Sequence, residues 1–130
     1  MFGSRDKRSV VVVLDAAITA AQKVPFWRVP HVKVELKRIE IRTGSAGGTA
    51  TAVAFENWGT GGASALSTGG SVMNFATSGG TTWTAFQRRS GTSFTEATMS
   101  EGQVLAVNID GLGTLAYPVI QVDYVIGGDF

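Results

Sequence analysis

The chain has no cysteine and a single histidine, and these two shortages remove much of the chemistry a small protein can carry. Without thiols there is no disulfide, no thiolate nucleophile and no cysteine-ligated metal site. One imidazole, His31, is too few for a histidine metal centre, and no clustered carboxylate motif stands in for it, so neither metal nor cofactor is expected. A Ser-His-Asp triad would have to take His31 as its base, and the chain contains no G-x-S-x-G elbow. His31 therefore reads as a surface residue at the end of a strand. Glycosidase chemistry needs two facing carboxylates, and Glu96, Glu101, Asp110 and Asp123 lie near strand ends or on solvent faces, where solvation is the expected role. The chain is read as not an enzyme.

Charge is scarce too. Asp, Glu, Lys and Arg make up 16% of the 130 residues, against about 25% in an average soluble domain. That deficit predicts that part of the surface is covered, by copies of the chain or by a larger partner. No stretch approaches the roughly 20 apolar residues of a membrane-spanning helix, and no membrane contact is expected. The sequence pI of about 8.1 and the lack of a recognisable motif argue against a nucleic-acid partner, although "RDKR" and "PFWR" put cations beside aromatics. "GTGGAS" lacks the lysine of a phosphate-binding loop and reads as a flexible connection. "MFGSRDKRSVVVVLDAAITAAQ" has the basic start and apolar run of a secretory leader, but Asp15 interrupts that run, so a cleaved leader is not expected.

Glycine is plentiful, with 17 residues against 3 prolines, and it punctuates short alternating segments. This combination predicts an all-β protein of one domain. "SVVVVL" is apolar on both faces, as in a strand buried on two sides. "DAAITAAQK" is a helical turn or an extended arm. "PFWRVP" is an extended connector or sheet edge, because Pro25 and Pro30 bracket it. In "HVKVELKRIEIR", Val32, Val34 and Leu36 share one face and Ile39 and Ile41 take the opposite parity, which predicts a β-bulge near Lys37 and Arg38. "TATAVAFENW" places Val53 and Phe55 on one face. "SVMNFAT", "TTWTAFQRR" and "TSFTEATM" are three short strands, and "QVLAVNI" and "LAYPVIQVDYVI" form a closing hairpin across "DGLG". Eight strands in this space predict an antiparallel β-sandwich, an eight-stranded jelly roll with an immunoglobulin-like sandwich as the alternative.

Charge divides the chain at Arg42: the first 42 residues hold nine of the eleven Lys and Arg residues against four acids, and the rest is acidic. Residues 1–30 accordingly read as a basic N-terminal arm and connector, and residues 31–130 as the sandwich. Within the arm, Arg5, Lys7 and Arg8 are too polar for a core, and Phe26, Trp27 and Arg28 are the residue types that most often anchor interfaces. These six are the candidate partner-binding residues.

The basic arm, the glycine- and threonine-rich jelly roll and the closing "EGQVLAVNIDGLGTLAYPVIQVDYVI" together resemble the decoration, or cement, proteins of tailed-bacteriophage heads. The resemblance implies a virion structural protein that binds the major capsid protein as a homotrimer and stabilises the icosahedral shell from its outer surface. The alternative is a receptor- or glycan-binding module of a phage fibre or tail, for which Trp58 and Trp83 are the stacking candidates.

Overall fold

The computed structural model describes residues 6–14, 22–42, 51–67, 70–74, 88–111 and 118–127. Every regular element among them is a β-strand: β1 (Asp6–Val13), β2 (Gln22–Arg28), β3 (Lys33–Arg42), β4 (Thr51–Asn57), β5 (Ser71–Asn74), β6 (Arg88–Gly91), β7 (Thr98–Ser100), β8 (Val104–Gly111) and β9 (Val119–Ile126). They form two antiparallel sheets. The first runs β1-β9-β3-β6, with β7 also paired to β3, and the second runs β2-β8-β4-β5. This interleaving of early and late strands is jelly-roll order, with its sixth position divided between β6 and β7.

The division has a local cause. On β3, Leu36 lies opposite Tyr124 and Arg38 opposite Asp123, so Lys37 is the extra residue of a bulge. β7 pairs with β3 before the bulge and β6 pairs with it after. A bulge kinks and twists its strand, and the neighbouring strand does not follow it as one continuous ladder. Between β6 and β7 the backbone instead bonds to both sheets, through Leu36 N to Ala97 O and Thr95 N to Val72 O. "TSFTEATM" is therefore mostly loop, with only its end in β7. The bulge also keeps Val34, Leu36, Ile39 and Ile41 all buried despite their change of parity.

The C-terminal pattern predicts a hairpin, and the structure places its two strands in different sheets. β8 pairs with β2 and β4, while β9 pairs with β1 and β3. Asp110 and Gly111 belong to β8, opposite Ala52 and Thr51, and do not form a turn. Leu105, Val107 and Ile109 are nevertheless buried on β8, and Ile120, Val122 and Tyr124 on β9. Period-two alternation is satisfied equally by two strands side by side and by two strands facing each other across a core.

Residues 6–13 and 22–28, read from the sequence as part of an arm and connector, each supply an edge strand. β1 is buried on one side only. Val10 and Val12 pack on the core, whereas Val11 and Val13 are each 56% exposed. β2 accommodates Pro25 because it is an edge strand with a bulge: Pro25 lies opposite Ala106 and Trp27 opposite Leu105, leaving Phe26 unopposed. Val32, grouped with the inward valines by parity, precedes β3 and is exposed. The parts of "DAAITAAQK" and "TTWTAFQRR" before residues 22 and 88, together with "SAGG", Arg5 and Trp83, lie outside the described residues.

Opposite fates of two similar substitutions test this assignment. Val107→Asp puts an unpaired carboxylate into the core and is expected to cost at least about 3 kcal/mol. Val11→Asp, on the exposed face of β1, is expected to cost less than about 1 kcal/mol. Urea unfolding of both variants measures the difference; equal losses would contradict the facing of β1 and β8.

Candidate interface on the outer face of the first sheet

Antiparallel register aligns side chains into rows across β1, β9 and β3. Lys7, Val125 and Glu35 form one row, and Ser9, Asp123 and Arg38 the next. Val11, Gln121 and Glu40 follow, and then Val13, Val119 and Arg42. All of these belong to the outward parity of the sheet, since the alternate residues Val10, Val122 and Ile39 belong to the core or pack on it.

Asp123 is the centre of this face. Ser9 Oγ donates to its Oδ1 at 2.6 Å and Gln121 Nε2 donates to the same oxygen at 3.0 Å. Arg38 Nη1 lies 3.8 Å from Oδ2, while Arg38 Nη2 donates to Glu40 at 2.7 Å. Partial burial raises the Asp123 pKa, but the hydrogen bonds from Gln121 and Ser9 and the Arg38 guanidinium outweigh it, so the carboxyl sits below the usual aspartate value. The sequence reading of Asp123 as a solvated acid missed this arrangement. Its only sequence signal is that Asp123 shares the outward parity of β9 with Gln121, which becomes informative once β1 and β3 are known to flank β9.

Beside this cluster lies a groove of about 710 Å³ lined by Lys7, Arg8, Ser9, Lys37, Asp123, Tyr124 and Val125. It carries three cations against one carboxylate. Lys37 reaches it because the bulge frees its side chain from the ladder, and it is paired with Glu35. Lys7 and Arg8, both chosen from the sequence, are exposed here.

Phe26, Trp27 and Arg28 sit elsewhere. With Pro25, Gly61, Gly62 and Val104 they line a smaller hollow of about 270 Å³ at the β2 edge. The β2 bulge lets both aromatics pack on the core: Phe26 meets Phe55 edge to face at 6.0 Å, and Trp27 meets Tyr124 at 4.9 Å. Arg28 Nη1 donates to the backbone oxygens of Gly102 at 2.7 Å and Thr60 at 3.2 Å, tying β2 to two turns. Tyr124 links the two groups of residues, since it lines the first groove and also stacks on Trp27. His31 completes this end of the sandwich, half-buried, with Nε2 3.5 Å from Tyr124 Oη.

No family model matches the chain, and no curated protein matches it. Among solved structures, one described as "Structure of infectious bursal disease virus Gx strain" is similar with a TM-score of 0.45 at 10% identity. The match covers 97% of this chain and 34% of that one, so this chain spans about a third of that chain's length. A likeness at this level carries no argument about what the chain does.

Among the described residues no group of three or more His, Cys, Asp or Glu side chains is arranged to hold a metal ion. What the first sheet offers is a fixed charge network, a basic groove and, farther along the same edge strand, two exposed valines.

The depressed Asp123 pKa makes a pH prediction whose sign is fixed. A carboxyl with a lowered folded pKa stabilises the fold above its unfolded value of about 3.9, and that contribution is lost as pH falls through the folded value. Asp123→Asn is therefore expected to lower the melting temperature at neutral pH, with the deficit shrinking below about pH 4. Thermal melts of both proteins across acid pH check this; a deficit independent of pH would show that the Asp123 charge contributes nothing.

Proposed function

We propose that the chain is a non-enzymatic structural protein that attaches to a larger assembly through the outer face and edge of β1. On this reading the assembly is an icosahedral phage capsid, which the protein decorates and stabilises from outside as a homotrimer bound to the major capsid protein. The observation that carries the proposal is the exposure of Val11 and Val13, 56% each, on an edge strand whose other end borders the basic groove. Exposed β-branched side chains on a sheet edge promote association, and edge strands usually avoid them. Here they share one strand with Lys7 and Arg8 at its other end, a combination suited to a partner presenting apolar groups near acidic ones.

Of the other candidates, Trp27 reaches the first sheet from the core side through its ring contact with Tyr124, while Phe26 packs on Phe55 and Arg28 holds the turns at the end of β2. The capsid as partner comes from the resemblance of the basic arm, the jelly-roll body and the closing segment to decoration proteins, and fold-level likeness contributes only a prior. The trimer accords with the low charge content and with multivalent attachment, in which modest contacts per subunit combine into stable binding.

Co-sedimentation with shells lacking the protein tests the proposal. Point variants are preferable to truncation, because removing residues 1–9 would cut into β1 and delete the Ser9 bond to Asp123. Val11→Ser combined with Val13→Ser is expected to weaken attachment at least about tenfold while leaving the fold intact. Lys7→Glu is expected to weaken it at low salt, with a smaller effect at high salt as charge is screened. Full occupancy by the double variant at every salt concentration would overturn the assignment of β1, and released protein running as a monomer in native mass spectrometry would overturn the trimer.

A further inference from the structure

The outer face of the second sheet holds a hollow that plays no part in the attachment surface. It encloses about 470 Å³, and its lining includes Ala54, Glu56, Leu66, Ser67, Ser71 and Asn108. This is the size range of small-molecule sites. Its polar wall is built around Glu56, whose side chain is 16% exposed. Trp58 Nε1 donates to Glu56 Oε1 at 3.0 Å, Asn108 Nδ2 donates to Oε2 at 3.3 Å, and Lys23 Nζ lies 3.9 Å from Oε1. The carboxylate is thus held in one orientation with acceptor capacity remaining on Oε2.

Neither Ser67 nor Ser71 has a side-chain hydrogen-bond partner among the described residues, and the same holds for the Asn108 carbonyl oxygen. Ala54 and the exposed Leu66 add apolar surface. The hollow therefore presents two acceptors and two hydroxyls beside a small apolar floor.

We infer that this hollow binds one ring of a neutral saccharide. Ring hydroxyls donate to Glu56 and Asn108 and exchange hydrogen bonds with the two serines, while a C–H face rests on Ala54 and Leu66. An anionic ligand is repelled by Glu56. Lys23, 3.9 Å from the carboxylate, offsets part of that charge, so a cationic ligand gains less than from a bare carboxylate and a neutral one is favoured. The hollow is open, so a single ring binds weakly, and repetition of the site in an oligomer raises the effective affinity. Trp58 serves as a positioning residue through its bond to Glu56 and not as a stacking platform.

The test is a series of amide-resolved NMR titrations of the full chain with glucose, galactose, mannose and N-acetylglucosamine. At least one sugar is expected to shift the amides of Glu56, Ser71 and Asn108 saturably. Glu56→Gln is expected to weaken that binding about tenfold, the scale of a lost hydrogen bond to a charged acceptor. Ser71→Trp, which fills the hollow from an exposed position, is expected to abolish binding without changing the melting temperature. Failure of all four sugars to produce saturable shifts, shifts that map to other residues, or undiminished binding by a folded Ser71→Trp protein would each overturn the inference. None of these outcomes bears on attachment through β1.

Discussion

The pairing of β9 with β1 on one side and β3 on the other is the constraint on which the rest depends. It closes the first sheet by bringing residues 6–13 beside residues 119–126. One parity of β9 then supplies Ile120, Val122 and Tyr124 to the core. The other parity sets Asp123 between Ser9 and Arg38. A one-residue slip would send the apolar set to solvent and break the charge row at once. Core and outer face are thus specified by the same register.

The bulge at Lys37 preserves that register along β3. Without an extra residue, the apolar positions before and after it would lie on opposite faces. With it, four β3 side chains stay in the core, Arg38 arrives opposite Asp123, and Lys37 is displaced toward the groove. A single insertion serves packing, electrostatics and the shape of the groove together. The carboxylate it helps to place is held by short hydrogen bonds as well as charge, which matters because an exposed ion pair alone contributes little.

Much of this architecture is legible in the residues themselves. The parity change in "HVKVELKRIEIR" locates the bulge, and glycine spacing and alternation give the all-β sandwich. Sheet membership is harder to read, because alternation states which way a side chain points and leaves open which sheet it belongs to. That is why β8 and β9 resemble a hairpin and lie in separate sheets. β2 is obscured by Pro25 and by a bulge that turns two neighbouring aromatics inward. The sites are less legible still: Asp123, Glu56 and Asn108 acquire part of their surroundings from strands distant in sequence, and Val11 looks buried until β1 is known to be an edge.

The two outer faces differ in chemistry. The first sheet carries the charge rows, the basic groove and the exposed valines, and the second carries a small hollow with one oriented carboxylate. On the proposed reading the first face docks and the second remains accessible. A cryo-EM reconstruction of the assembled particle tests this most directly. Docking through β1 predicts partner density against Lys7, Val11 and Val13, with the face formed by β2, β8, β4 and β5 turned to solvent. Density covering that second face while β1 stands bare would contradict it.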